Sequence, residues 1–194
     1  LGRESMGAQS VPLFAMPRMA RTIRESAPWK QLVRLNNVVI QPIQQGEEFA
    51  LNSRIRVLPF VVPHRADASE TVGLIISGPT RKVFFLPDVD RWPPPIEPLI
   101  GQVDRAYLDG TFFHGSELGL RATADHPDPL SNIPHPFVVD SLARFSNLDA
   151  DERSKVHFIH FNHTNPLLQP TNEHHQQVFA AGMHITQRGD RFSI

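Results

Sequence analysis

Four times in this chain a short apolar run gives way, within two residues, to a histidine or an aspartate. Leu58 to Val62 leads to His64, and Val83 to Leu86 leads to Asp88. Ala106 to Leu108 leads to Asp109, and Val156 to Ile159 leads to His160 and then His163. Such runs are too short for helices and read as buried strands. Strands that share a sheet bring their ends to common edges, where α/β proteins assemble sites from residues distant in sequence. The pattern therefore calls for a sheet-based fold with imidazoles and carboxylates gathered at one edge.

The rest of the chain agrees with an α/β class. Its 18 prolines fall mostly in loops such as Trp92-Pro93-Pro94-Pro95, which disfavours a helical bundle. A 40% hydrophobic content is enough for a core, and 194 residues suit one domain spanning 1–194. Val11 to Met16 reads as a strand, and Pro17 opens a helix with a basic face of Arg18, Arg21 and Arg24. Strands are expected over Val38 to Ile43, Arg54 to Val62, Arg105 to Leu108 and Val156 to Ile159. Thr71 to Ser77 and Lys82 to Leu86 form a hairpin across Gly78-Pro79-Thr80-Arg81. Helices are expected over Ile96 to Ile100, Pro136 to Phe145 and Glu173 to Ala181, the last stopped by Gly182. Met183 to Ile194 reads as a final hairpin across Arg188-Gly189-Asp190. Residues 115–132 read as a long polar loop or flap.

Several function classes fall away on composition. With no cysteine there is no disulfide, thiolate nucleophile or Cys-based zinc site. Any metal must be held by nitrogen and oxygen, which suits zinc, iron or manganese. A net charge of −1 draws in neither nucleic acid nor an anionic membrane. No apolar run approaches a membrane span, and a cytoplasmic setting is expected. The start Leu1-Gly2-Arg3-Glu4 reads as the interior of a longer chain.

Among individual residues, His64, Asp88 and His160 share one placement just past a strand and form the candidate metal set. His157 lies inside its strand and reads as packing or surface. Asp90, Asp104 and Asp125 read as loop carboxylates, and His174 and His175 as solvated helix residues. His135, between two prolines, is either a helix-entry residue or a wall of the pocket.

At Val62-Pro63-His64-Arg65, Ser69-Glu70-Thr71-Val72-Gly73, Phe85 to Trp92, Leu108 to Phe112, Ile133 to Phe137 and His157 to Pro166, the chain resembles the family of B proteins of pyrroloquinoline quinone (PQQ) biosynthesis. Gly7 to Arg18 and Pro28-Trp29 extend the likeness. The resemblance implies a metallo-β-lactamase-like αββα four-layer sandwich without its N-terminal part. The chain would match the C-terminal two thirds of the family's length, with the family's main histidine–aspartate cluster lying upstream. His64, Asp88 and His160 match the later metal-ligand positions in order. The implied cofactor is Fe(II) or zinc, with PQQ as a further ligand. The implied activity is iron-dependent oxidation of a tyrosine-derived, peptide-derived precursor. His163 and His135 would take catalytic roles, and Arg65 and Arg91 would pair with carboxylates. A metallo-hydrolase and a non-catalytic PQQ carrier are the alternatives, and a homodimer is an open possibility.

Overall fold

The computed structural model describes residues 7–65, 67, 69–120, 130–131 and 133–194. Its larger sheet has seven strands in sequence order: β3 (Phe49–Ala50), β4 (Arg56–Val62), β5 (Thr71–Ser77), β6 (Lys82–Leu86), β7 (Arg105–Asp109), β8 (Val156–Ile159) and β9 (His184–Ile185). Pairing is antiparallel from β3 to β6 and parallel from β6 to β9. A separate parallel pair joins β1 (Val11–Ala15) to β2 (Val38–Pro42). Six α-helices are present among the described residues: α1 (Pro17–Glu25), α2 (Ala27–Arg34), α3 (Ile96–Gly101), α4 (Val138–Phe145), α5 (Ala150–Ser154) and α6 (Glu173–Ala180).

The strand registers decide where the core lies. Phe84 pairs with Ala106 and Leu86 with Leu108, while Ala106 and Leu108 pair in turn with Val156 and Phe158. Period-2 alternation sends all six side chains to one face, and each is fully buried. Against that face pack Ile96 and Ile100 of α3, Val138 and Phe145 of α4, and Val178 of α6. Burying each of these large side chains stabilises the fold by roughly 1.5–3 kcal/mol. Trp92 fits because its indole N–H donates to the buried Ser141 hydroxyl at 3.0 Å, so no polar atom is stranded. A second, smaller cluster of Ala15, Ala20 and Ile23 holds α1 against the two-stranded sheet.

Most expected elements form where the apolar periodicity places them, and Gly182 ends α6 with φ of 77°. Other expectations need correction. Strand β4 starts at Arg56 rather than Arg54, because the Asn52 side chain accepts from the Arg54 and Ile55 amides at 2.8 and 2.9 Å and holds them in a turn. The C-terminal hairpin does not form. Strand β9 instead adds in parallel to β8, and Phe192 beyond it lies against the Arg105 and Arg81 guanidinium groups, 4.0 and 5.0 Å from its ring centre. These cation–π contacts hold the tail where a strand ladder was expected. In the expected long loop, Gly115–Leu118 is a 3-10 turn. Residues 121–129, Asp125 among them, and 132 lie outside the described residues.

Candidate metal centre at one sheet edge

Topology brings the candidate residues together. Strands β4 and β6 both run antiparallel to β5, and β7 and β8 run parallel to β6. The C-terminal ends of β4, β6, β7 and β8 therefore share one sheet edge. His64 and Asp88 follow β4 and β6, Asp109 ends β7 and His160 follows β8. A 2.7 Å bond from the Asp90 amide to the Pro63 carbonyl ties the first two loops together.

The His160 loop is held just as firmly. Asn165 Nδ2 donates to the Gly110 and Thr111 carbonyls at 2.7 and 3.1 Å, and the Asn162 amide donates to Thr111 O at 2.9 Å. His160 adopts a left-handed φ of 65°. Such a conformation persists in a non-glycine residue only when its surroundings impose it, and it concentrates at functional sites.

Three imidazoles meet at this edge, and each is anchored through Nδ1. His64 Nδ1 lies 2.9 Å from Asp90 Oδ1, His135 Nδ1 lies 2.8 Å from Asp109 Oδ2, and His160 Nδ1 lies 3.0 Å from the Thr111 hydroxyl. Histidine that binds metal through one nitrogen characteristically gives the other to a carboxylate or another acceptor, which fixes its tautomer and orientation.

The two carboxylates in the middle differ. Asp109 is fully buried and fixed in place through both oxygens: Oδ1 accepts from the Thr111 amide and hydroxyl, and Oδ2 from the Val89 amide and His135. Asp88 Oδ1 is buried yet receives no well-directed hydrogen bond, although His64 Nε2 and His135 Nδ1 stand 3.1 and 3.6 Å away. An unmet buried carboxylate oxygen costs on the order of 1–3 kcal/mol or more. Ligand atoms of Asp88, Asp109 and His160 lie within 4.8 Å of one another. Carboxylate and imidazole donors at this spacing fit a divalent ion such as zinc.

Of the residues singled out in the sequence, His64, Asp88, His160 and His135 come together here. His163 stays exposed, with Nδ1 3.2 Å from Asn162 Oδ1. Arg65 and Arg91 are exposed, one position beyond His64 and Asp90. Asp90 is not a plain loop carboxylate, since it orients His64. His175 is buried rather than solvated, with Nε2 donating to Leu167 O at 2.8 Å, and His174 is half-buried against the Phe113 ring. His157 packs as expected, stacked on His184 with ring centres 4.6 Å apart. Thr111 carried no signal of its own, although its place two residues past a strand-end aspartate suits an Asx-type turn.

A strand-ordered set of histidines and aspartates on one edge of a mixed α/β sheet defines a class, and the chain belongs to it: the family model of the Beta-lactamase superfamily domain matches residues 2–161. The fold is the metallo-β-lactamase fold. Within that class the chain resembles Coenzyme PQQ synthesis protein B. The protein of that name from Gluconacetobacter diazotrophicus is 27% identical over 177 residues, covering 78% of this chain and 55% of the relative. A crystal structure of Zn2+-bound PqqB from Methylobacterium extorquens superposes with a TM-score of 0.76 at 20% identity, covering 95% of this chain and 63% of that one. A diphosphatase of the PhnP family follows at TM-score 0.61 and 16% identity, covering 97% of this chain and 60% of its own. The chain thus spans about half the length of the curated relative it matches. No helix among the described residues is long and apolar enough to cross a membrane.

Proposed function

We propose that this chain serves PQQ biosynthesis in the cytoplasm, as a metal-dependent enzyme that oxidises the tyrosine-derived part of a peptide-derived precursor. Two things support the reading: the likeness to Coenzyme PQQ synthesis protein B and, above all, the buried and unmet Asp88 Oδ1 among oriented imidazoles. His64, Asp88 and His160 would hold the ion, with Asp109 beside them. When bound, the ion supplies Lewis acidity and, as Fe(II), access to oxygen chemistry. Hydroxylation places one atom of dioxygen in the product and the other in water, drawing two electrons from an external reductant.

The protein's own groups have separable tasks. Asp90 and Thr111 orient His64 and His160. His135, anchored on Asp109 beside Asp88, would take up or release a proton. His163, exposed three residues beyond His160, would serve as a proton shuttle to water. The exposed Arg65 and Arg91 guanidinium groups suit the carboxylates of the precursor or of PQQ itself.

Metal analysis and oxygen uptake test this. Iron with precursor-dependent oxygen consumption is expected, and His160→Ala should lose far more metal than His157→Ala. Equal loss from both variants, or loss from neither, rejects the ligand assignment. Zinc with esterase activity and no oxygen uptake would make the protein a hydrolase. Tight PQQ binding without metal would make it a carrier.

A further inference from the structure

A second cavity lies behind the His160 loop, away from the cluster around Asp88. It encloses about 300 Å³ between Phe161, Leu167, Leu168, His175 and the stretch from Ile185 to Arg188. That volume is at the small end of ligand pockets, which combine mostly apolar walls with a few placed polar groups.

The walls are pre-formed. The Leu167 amide donates to Asn165 Oδ1 at 2.9 Å, His175 Nε2 donates to the Leu167 carbonyl, and Asn172 Nδ2 donates to Pro166 O at 2.6 Å. Leu168 at the rim is 52% exposed, apolar surface that a ligand body would cover. The polar groups have unused capacity. The Thr186 hydroxyl is buried with no hydrogen-bond partner among the described residues, and a buried hydroxyl left unpaired is costly. Arg188 is exposed at the rim and forms no ion pair among the described residues. Among the described residues no acidic side chain lines the cavity; the Asp190 carboxylate beside it accepts from the Gln187 amide at 2.8 Å, which leaves Arg188 as the guanidinium facing a ligand.

We propose that this cavity binds a small organic carboxylate. The carboxylate sits between the Arg188 guanidinium and the Thr186 hydroxyl, and an apolar or aromatic body lies against Phe161, Leu167 and Leu168. This site is separate from the metal centre and does not depend on the function proposed above.

Calorimetric titration of the full chain with 3-phenylpropionate, in EDTA to silence any metal, tests it. Saturable binding is expected, at least about tenfold tighter than for the neutral 3-phenylpropanamide. Arg188→Gln and Thr186→Val should each weaken binding about tenfold, since each removes a hydrogen bond to a charged group. Absence of saturable binding, equal affinity for acid and amide, or unchanged affinity in both variants would overturn the proposal. Should Thr186→Val fail to fold by circular dichroism, the exposed Arg188→Gln change still decides.

Discussion

The Thr111 hydroxyl has one proton and two partners, Asp109 Oδ1 at 2.7 Å and His160 Nδ1 at 3.0 Å. An ionised carboxylate can only accept, so the proton points to Asp109 and the oxygen accepts from His160 Nδ1–H. His160 Nε2 is thereby left with its lone pair free for a metal. Thr111→Val keeps the shape and removes the relay. Zinc affinity should fall about 10–100-fold, while Thr111→Ser stays near wild type, measured by competition with a chromophoric chelator. Unchanged affinity in Thr111→Val would mean that His160 is oriented by its backbone alone. The same contact shows what was legible in sequence. His64, Asp88 and His160 stood out because each interrupts an apolar run. Asp90 and Thr111 did not, because their partners lie 26 and 49 residues away, and no local pattern encodes such a pairing.

At the level of elements, periodicity is informative where an element must bury one face and weak where tertiary contacts decide. Strands β5, β6 and β8 follow directly from their apolar runs. Helix α2 was not anticipated; its Pro28 occupies the first turn, where a missing amide proton does no harm. Two-residue β3 carries too little sequence to be read at all, and it exists only by pairing with β4. The junction of β7 and β8 is tighter than either strand reveals alone. A methyl group on Gly110 would sit 2.9 Å from the Phe161 ring, 3.0 Å from Ile159 O and 3.0 Å from Phe158 Cβ. Backbone and a core side chain cannot all give way, so Gly110→Ala should cost about 1–3 kcal/mol. It should also disturb the spacing of Asp109 and His160, which flank that contact. Lower Tm with weaker metal binding is the expected pair of readouts; an unchanged Tm would show that the His160 loop yields easily.

Over the whole molecule, pH and metal act on stability through different groups. His157 is pushed down to about 3, first by burial and then by the Arg105 and His184 charges, with Asp190 opposing. In the unfolded chain it titrates near its ordinary 6.5. Between those values the unfolded state takes up a proton that the native state refuses. Stability from neutral His157 is thus complete above about pH 6.5 and is lost as pH falls toward 3. His157→Phe should flatten the difference between urea midpoints at pH 7 and pH 5, and an unaltered difference would assign the acid sensitivity elsewhere.

A bound ion would act on the same global equilibrium by another route. Its candidate ligands follow four strands and are 24, 21 and 51 residues apart in order, from His64 through Asp88 and Asp109 to His160. Only the folded sheet edge brings them together, so binding must favour the native state. At a hundredfold excess over Kd the gain is about 2.7 kcal/mol, which for a chain of this size raises Tm by about 5–11 °C. Thermal scans with excess zinc and with EDTA should differ by that amount in the wild-type chain. In His160→Ala the difference should vanish, because the ion loses the one ligand contributed by the β8 end. A shift retained in His160→Ala would place the stabilising ion elsewhere on the molecule, and no shift in the wild type would mean that the groups around Asp88 do not hold zinc.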